Sequence, residues 1–415
     1  MNILYIDHYA GSLTMGMEFR PFYLAREWEK RGHKVRIVGA DFSHLRKENP
    51  AVNVDFEIQN IDGLEYQWIK TGTYMGNGLK RAMTIFGFCI KLWMKAKKIA
   101  TDFKPDVVIS SSTYPLDTYP ASRIAKCAGA VLVHEGHDLW PLTLTELAGM
   151  SNLNPFVIAL SIAEKRAYRK SDHVVSVLPN TFEYMKDKGL SDPDKYTHIP
   201  NGIAMEDWTD NTEKHEILEQ IKSQGKFMVM YLGGHAISNA LDSFVEAARL
   251  LKNDERFVFV LIGKGTEKSR LQKTAEDNEL KNIYFLPPVA KNTVPSVLDY
   301  TDALYIGAEP CTLYRYGVSM NKLYDYMMSA KPIINGVQAA NNDVEQSGSG
   351  ISIPPNDAGA IVAALEQLFE MDSAERQKMG KNGKQWVVEN CDYSVLSEKF
   401  LQVIEKSKEN RSNKQ

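Results

Sequence analysis

The stretch YGVSMNKLYDYMMSAKPII, residues 316–334, decides the fold class of this chain, together with FVFVLIGKG at residues 257–265. In each, an apolar strand pattern adjoins a helix pattern, as at the rim of a parallel sheet. Ser319 is a favourable N-cap, and the helix N-terminus that follows it attracts phosphate. Lys322 adds a full charge, and Asp325 can accept two hydrogen bonds from a ribose diol. The stretch therefore predicts a nucleoside-diphosphate site, with an ordinary capped helix packed on the sheet as the alternative.

Apolar runs alternate with helix patterns on both sides of this stretch, which predicts an α/β protein with parallel sheets. Strands are predicted in the first half at NILYID, HKVRIVGA, DVVIS, AVLVHE and HVVSVL, and in the second half at FMVMYLGG, FVFVLIGKG, NIYFLPP, ALYIGA, KPIING and GISIPP. The runs are apolar throughout, as expected for sheets covered on both faces. A polar stretch from residue 200 to about 225 predicts the hinge. We therefore expect two Rossmann-like domains, residues 1–200 and 201–389, with a helix at about 390–410 packing back on the first.

The composition of the chain limits the functions that the protein can have. The 415-residue chain has 44% hydrophobic and 24% charged residues, typical of a globular protein with two domains. Its formal net charge of −3 gives no reason to expect nucleic acid as a partner. The four cysteines are far apart, so we expect reduced thiols in a cytoplasmic protein and no zinc site. We also expect neither a signal peptide nor a transmembrane helix, because no segment has the required apolar run.

Two glycine-bearing loops are candidate ligand contacts. Gly263 and Gly265 flank Lys264 where a strand ends, so Lys264 is either a phosphate contact or a surface lysine. In the first half, Gly11 and Gly16 bound a loop after the first strand, which we expect to face a central cleft between the domains.

The segment after that loop carries Glu18 and Arg20 near the start of a helix predicted over residues 17–31. Arg20 could hold an acceptor phosphate, with a surface charge pair as the alternative. Both residues are therefore predicted to be acceptor contacts.

The segment VLVHEGHDLWP places Glu135, His137 and Asp138 after a predicted strand. Titratable groups at a strand end are default candidates for a site. Glu135 or Asp138 could bind hydroxyl groups, and His137 could steer charge. A polar loop anchored by its tryptophan and proline is the alternative.

A helix predicted over residues 79–99 has apolar and basic faces. One face carries Leu79, Met83, Phe86, Ile90 and Trp93. A narrow lysine stripe lies opposite. Such a helix can lie on anionic lipid, and the alternative is a helix packed on the sheet with extended lysines.

With these residues in view, the chain resembles the retaining glycosyltransferases of family four, which have the GT-B fold. More narrowly, it resembles bacterial O-antigen and capsule transferases for N-acetylfucosamine or N-acetylglucosamine. The resemblance rests on HYAGSLTMGMEFRPFYLAREWEKRGHKV, HDLWP, HIPNGI, LGGHAISNALDSFVEAARLL, LIGKGTEKSRL and GVSMNKLYDYMMSAKPII, in the family's order. It implies two Rossmann-like domains facing a central cleft.

The resemblance implies a role for particular residues. The ribose-binding acid falls on Asp325, the diphosphate turn on residues 318–322, and the base-clasping loop on residues 287–289. Asp138, with His137 beside it, occupies the loop that orients the reacting sugar. The implied donor contacts are Gly11, Gly16, His235, Lys264, Val289, Val318, Ser319, Asn321, Lys322 and Asp325. The implied catalytic residues are Asp138, His137 and Glu135, and the acceptor residues are Arg20 and Glu18.

The chain also departs from the family pattern. Gly234 and Asn239 stand near the places of an arginine and a lysine that usually hold the diphosphate, and Gly317 stands where the first of two acidic residues would be. His137 stands where the narrower group typically has arginine. We therefore expect diphosphate binding to rest on helix dipoles and on Lys322, Lys264 and His235.

The implied function is transfer of an N-acetylated sugar, with retention, from a UDP-sugar to a lipid-linked oligosaccharide in surface polysaccharide synthesis. Amide groups and lysines would stabilise charge developing on the β-phosphate, so no metal or cofactor is expected. The protein would be cytoplasmic, with peripheral contact on the inner face of the plasma membrane through helix 79–99. The missing family residues leave a catalytically silent scaffold open as an alternative, and a sugar-nucleotide epimerase of related fold is another.

Overall fold

The computed structural model describes residues 1–76, 78–208 and 214–413 and divides the chain into two compact units. Unit 1 comprises Met1–Asn201 and Tyr393–Gln415, and unit 2 comprises Gly202–Asp392. Part of the predicted hinge, residues 209–213, lies outside the described residues. No helix in the described part of the chain is long and apolar enough to cross a membrane.

Unit 1 is built on one sheet with the strand order β3-β4-β2-β1-β5-β6-β7-β8. The strands are β1 Asn2–Ile6, β2 Lys34–Ala40, β3 Glu57–Ile61, β4 Leu64–Ile69, β5 Val107–Ser110, β6 Val131–Gly136, β7 His173–Ser176 and β8 Tyr196–His198. The helices are α1 Arg20–Lys30, α2 Leu79–Phe103, α3 Thr118–Ala128, α4 Leu142–Glu146, α5 Pro155–Lys170, α6 Phe182–Asp187 and, from the end of the chain, α15 Tyr393–Ser412. All neighbouring strands are parallel except β3 and β4.

The antiparallel pair of β3 and β4 was not predicted. Its two-residue turn is Asp62-Gly63, with φ of 51° and 90°. Asp-Gly is a strong hairpin signal because both turn positions require positive φ. The sheet of unit 1 is therefore mixed rather than wholly parallel.

Unit 2 carries a parallel sheet with the strand order β11-β10-β9-β12-β13-β14. The strands are β9 Phe227–Leu232, β10 Phe257–Ile262, β11 Ile283–Leu286, β12 Ala303–Gly307, β13 Ile333–Gly336 and β14 Gly350–Ser352. The helices are α7 Glu216–Lys222, α8 Leu241–Leu250, α9 Lys268–Asp277, α10 Val294–Leu298, α11 Asn321–Met328, α12 Asp343–Ser347, α13 Ala358–Glu370 and α14 Ser373–Cys391.

The sheet of unit 2 is buried on both faces, as its apolar runs predict. Met228 and Met230 pack into one hydrophobic cluster, whereas Val229 and Tyr231 pack into another. Successive residues of a strand point to opposite faces, so both faces are covered. The predicted parallel α/β architecture is thus confirmed in this unit.

Helix α1 begins three residues later than predicted. Met17 and Glu18 have φ of 41° and 51°, in the left-handed region that a right-handed helix does not use. Helix α15 packs on α1 within unit 1. The indole nitrogen of Trp28 donates to the Ser397 carbonyl at 3.1 Å, and the Trp28 and Phe400 rings lie 5.3 Å apart.

Candidate functional site

Residues 317–322, which we call the α11 turn, comprise the end of the segment from β12 to α11 and the first two residues of that helix in unit 2. The helix begins at Asn321, and its N-cap is Met320, with φ of −93° and ψ of 110°. The prediction that Ser319 caps the helix is wrong, because the Ser319 hydroxyl lies 3.1 Å from the Tyr324 hydroxyl. In the described structure no side chain caps α11. Its first-turn N–H groups are thus suited to an anionic ligand.

The start of the α11 turn is fixed by its own contacts. Gly317 has a φ of 93°, which favours glycine. The Val318 N–H donates to the Asn341 side chain at 2.8 Å, and the Val318 carbonyl accepts from it at 3.1 Å. Asn341 thus holds both main-chain polar groups of Val318, and the implied contact of Val318 with the sugar nucleotide stays a prediction.

Lys322 is held in a network with a tyrosine of β9 and residues that follow this strand. Its ammonium donates to the Tyr231 hydroxyl at 3.1 Å and to the Asn239 amide oxygen. Tyr231 and Asn239 in turn both donate to the Gly234 carbonyl, at 2.8 and 2.9 Å. Burial lowers the pKa of Lys322 to about 8. Its ammonium group is therefore still mostly protonated at neutral pH. Asn239, which stands near the place of a family lysine, thus positions the lysine of α11.

Asp325 lies one turn further along α11 and has a side chain that is 12% exposed. Both of its carboxylate oxygens lie 2.6 Å from the Lys291 ammonium. Lys291 was not predicted as a site residue, although it closely follows the predicted base-clasping loop. Lys291 is 49% exposed, and ion pairs of such exposure contribute little stability. A ligand can therefore displace or share this contact.

The glycines of the GKG segment serve the packing of two loops. A Cβ at Gly263 would lie 1.9 Å from the Gly233 carbonyl oxygen, and one at Gly265 would lie 2.1 Å from the His235 carbonyl oxygen. The His235 N–H donates to the Lys264 carbonyl at 2.9 Å. Any larger residue at either glycine would push the loops apart.

Of the other predicted donor contacts, His235 is wholly buried. Burial, with Lys268 nearby, lowers the pKa of His235 to about 4. The imidazole of His235 is therefore neutral at pH 7 without a ligand, and its implied contact with the donor phosphate stays a prediction. Lys264 is exposed and remains a candidate, and Val289 is half-buried against the unit 2 core.

In unit 1, Glu135 is the penultimate residue of β6 and is wholly buried. One oxygen accepts from the Arg20 guanidinium at 2.8 and 3.0 Å, and the other accepts from the hydroxyls of Ser111, at 2.5 Å, and Tyr5. Burial alone would raise the pKa of Glu135, but Arg20 and His137 hold it well below its usual range. The prediction that Glu135 binds a substrate hydroxyl is wrong, since it is enclosed by protein donors.

Arg20 is equally enclosed. Its guanidinium is 3% exposed, and besides Glu135 it donates to the carbonyls of Ile199, at 3.0 Å, and Pro200. The prediction that Arg20 holds an acceptor phosphate is therefore wrong. It positions Glu135 and the chain at the end of β8.

His137 lies at the edge of this Glu135 cluster, which comprises Tyr5, Arg20, Ser111, Glu135 and His137. Its Nε2 atom is 2.7 Å from the Ser111 hydroxyl and 3.5 Å from the Glu135 carboxylate. Burial would lower the pKa of His137, but Glu135 and Asp7 raise it to about 9. His137 is therefore a cation at neutral pH, with its side chain 12% exposed.

Carboxyl groups surround this cation. Asp7, which follows β1 and was not predicted, is buried, and burial together with the charge of Glu18 raises its pKa to about 7. Burial also raises the pKa of Glu18, which is half-buried. Asp138 is exposed beside His137 and remains a candidate contact for a substrate hydroxyl. A charged residue directly after a buried strand was the signal that could have identified Asp7.

The loop formed by residues 11–18 closes on itself. The Gly11 N–H donates to the Glu18 carbonyl at 3.1 Å, and the Gly16 N–H donates to the Ser12 carbonyl at 2.9 Å. A Cβ at Gly11 would lie 1.6 Å from the Met17 carbonyl oxygen. Both predicted donor glycines therefore shape this loop, and their N–H groups are already bonded within it.

Comparison with known families now identifies the class. Residues 15–207 match the family described as Glycosyltransferase Family 4, and residues 213–386 match the family described as Glycosyl transferases group 1. The two matches together span most of the chain. The protein belongs to these glycosyltransferases with the GT-B fold, and this membership favours an enzyme over a silent scaffold.

Particular relatives are distant. The chain is 24% identical over 339 residues to a probable glycosyltransferase, WbjE, of Pseudomonas aeruginosa, covering 80% of each chain. It is 22% identical over 383 residues to the UDP-N-acetylglucosamine–N-acetylmuramyl-(pentapeptide) pyrophosphoryl-undecaprenol N-acetylglucosamine transferase of Shewanella sp. strain MR-4, covering 90% of this chain and 91% of the relative.

Solved structures share the architecture. Sucrose-phosphate synthase from Thermosynechococcus elongatus superposes with a TM-score of 0.71 at 14% identity, covering 98% of each chain. Anabaena HepE in complex with UDP and glucose superposes with a TM-score of 0.66 at 13% identity, covering 97% of this chain and 99% of that one. These likenesses establish the two Rossmann-like domains of the GT-B fold.

Proposed function

We propose that this glycosyltransferase moves an N-acetylated sugar from a UDP-sugar to a lipid-linked glycan acceptor, with retention, in surface polysaccharide synthesis. The observation that carries the proposal is the uncapped start of α11, with Lys322 in its first turn and Asp325 one turn further on. The name of the Shewanella relative contains a UDP-linked N-acetylated donor and a lipid-linked acceptor. Both fit the chemistry proposed for this chain.

In the proposed donor complex, the first-turn N–H groups of α11 and the Lys322 ammonium bind the diphosphate. Asp325 accepts hydrogen bonds from the ribose diol, and Lys291 shifts to share the carboxylate or leave it. The loop at residues 287–289 contacts the base. Negative charge grows on the β-phosphate as the glycosidic bond to UDP breaks, so fixed dipoles and a cation at this point lower the barrier.

For the acceptor, the exposed carboxylate of Asp138 and the protonated His137 are the proposed contacts in unit 1. The acceptor hydroxyl forms the new bond to the anomeric carbon on the face that UDP leaves, and its proton passes to the departing phosphate oxygen. This order of events gives retention without an enzyme nucleophile. Since charge on the phosphate is met by protein groups, we expect the rate to be unchanged by a metal chelator.

The test is a calorimetric titration of the protein with UDP, GDP and several UDP-N-acetyl sugars. We expect micromolar UDP binding that falls at least tenfold in Asp325→Ala, because the ribose loses its acceptor. Asp277→Ala, at an exposed position of α9, is the matched control and should bind as wild type. Undiminished UDP binding by Asp325→Ala would refute the assignment of this site.

Peripheral contact with a membrane belongs to the same proposal. In α2, Leu79, Met83 and Ile90 are 79%, 64% and 56% exposed, whereas Phe88 and Leu92 are fully buried. The helix thus packs through one face and leaves a second apolar face uncovered. The same helix carries four exposed lysines, Lys80, Lys95, Lys97 and Lys98. Apolar and basic groups together favour an anionic lipid surface.

Vesicle co-sedimentation tests this contact. We expect binding to phosphatidylglycerol vesicles, weaker binding to phosphatidylcholine, and loss of both in Ile90→Glu. Leu250→Glu, at a 50% exposed leucine of α8, is the control. Equal sedimentation of the two variants would argue against α2 as the contact.

A further inference from the structure

A surface cavity of unit 2 adjoins the α11 turn. Its volume is about 420 Å³, within the range of roughly 300–1,000 Å³ that small-molecule sites occupy. One wall comes from the segment between β12 and the α11 turn, and the other comes from the segment after β13. None of its lining residues was a predicted site residue.

Two links join this cavity to the proposed diphosphate site. The Ala340 N–H donates to the Tyr314 carbonyl at 2.9 Å, which ties the two walls together. The next residue, Asn341, holds both the N–H and the carbonyl of Val318 in the α11 turn. The cavity walls and the α11 turn therefore form one hydrogen-bonded frame. A diphosphate bound on that turn would therefore share this frame with the cavity.

The lining combines apolar surface with few polar groups. Cys311, Ala339 and the Tyr314 ring supply apolar surface, and Thr312 and Gln338 supply a hydroxyl and an amide. The walls contain no carboxylate. A methyl group can be covered by the apolar part, while an amide on the ligand can pair with the hydroxyl and amide of the walls.

Arg315, the charged residue of the lining, contacts its own segment of the chain. The Arg315 guanidinium donates to the Thr312 carbonyl at 2.6 Å and lies 4.5 Å from the Tyr316 ring centroid. These contacts hold the arginine along its own segment. The rest of the lining suits a substituent that is part methyl and part amide.

We propose that this cavity receives the N-acyl substituent of the transferred sugar and so selects N-acetylated donors over plain hexose donors. The inference rests on the UDP-sugar transfer proposed above and adds the residues that decide the sugar. Gln338 pairs with the acetamido group, and Ala339 leaves room for its methyl. A hexose without this group would leave the apolar wall uncovered.

Ratios of dissociation constants for UDP-N-acetylglucosamine and UDP-glucose test the inference, with UDP alone as the reference ligand. Wild type should prefer the N-acetylated donor by about tenfold or more, in the range of one apolar group in a pocket. Ala339→Phe, which fills the cavity, should abolish the preference. Gln338→Leu, which keeps the size of the side chain, should reduce it several-fold.

Both variants should bind UDP as wild type does, which shows that the α11 turn is intact. Gln346→Leu, at an exposed position of α12, is the control and should keep the preference. An unchanged preference in both cavity variants, or no preference in wild type, would overturn the inference and leave the UDP site standing. Failure of wild type to bind UDP would overturn both proposals.

Discussion

The α11 turn of unit 2 and the Glu135 cluster of unit 1 both place charge at the carboxyl ends of parallel strands, but they satisfy it differently. In the Glu135 cluster, buried Arg20 and Glu135 neutralise each other and their remaining partners are protein groups. At the α11 turn, no side chain among the described residues caps the helix N-terminus, and one turn further along α11 the Asp325 carboxylate pairs with Lys291, which is 49% exposed. The difference teaches that the buried Arg20–Glu135 pair is satisfied within the protein, whereas the start of α11 keeps N–H groups that can meet the proposed ligand.

The largest effect should come from breaking the buried pair. Glu135→Gln leaves the Arg20 guanidinium without a counter-charge, and we expect the free energy of unfolding to fall by about 3 kcal/mol. Denaturant titration measures this change. Glu246→Gln, which removes the partner of exposed Arg249, is the control and should cost less than about 1 kcal/mol. Equal losses in the two variants would mean that the Glu135 cluster is not specially dependent on its charges.

The next effect concerns ligand binding rather than folding. Lys322→Met removes the cation of the α11 turn, and we expect UDP affinity to fall by about ten- to a hundredfold, as for a hydrogen bond to a charged group. Unfolding stability should change by less than about 1 kcal/mol, since the lysine is only partly buried. Lys273→Met, on the exposed side of α9, is the control. A large loss of stability with little loss of UDP affinity would show that Lys322 serves folding rather than ligand binding.

A third effect is a pH dependence of stability that arises at His137 in unit 1. The pKa of His137 is raised to about 9 in the folded protein, above its unfolded value of about 6.5. Its contribution to stability is therefore fully present below pH 6.5 and is lost as pH rises through 9, by on the order of 3 kcal/mol. His137→Gln should lack this decline between pH 6.5 and 9. His33→Gln should keep it, because the pKa of His33 is lowered by burial.

The smallest effect should be at the exposed pair. Lys291→Ala removes the group that competes with a ribose for Asp325, and we expect UDP to bind about two- to fivefold more tightly at low salt. High salt should remove the difference, because it screens the ion pair in wild type. Weaker binding by this variant would indicate that Lys291 contacts the nucleotide directly.

The sequence predicts the architecture well because the signals are local. Each predicted strand is an apolar run that can be recognised from its own residues, without knowing which strands it pairs with. The β3–β4 hairpin was missed although Asp62-Gly63 is also a local signal. The cap at Ser319 was wrong because the adjoining Met320 is the last extended residue before the helix.

The pairings of site residues could not be predicted in this way. Arg20 and Glu135 are separated by 115 positions, and their mutual burial depends on the register of the whole sheet. The same holds for Lys291 and Asp325, 34 positions apart. Arg20 looked like a substrate contact because a sequence shows a charge but not its partner.

The return of the chain to unit 1 has a consequence for its synthesis. Helix α15 follows all of unit 2, yet Trp28 donates to Ser397 and Tyr23 stacks on Tyr393 with ring centroids 4.8 Å apart. Unit 2 is continuous in the chain and can complete its fold first during translation. Unit 1, although made first, must keep the surface that α15 covers exposed until the final helix emerges. The early part of the nascent chain is thus the part with the longest exposure to chaperones and proteases.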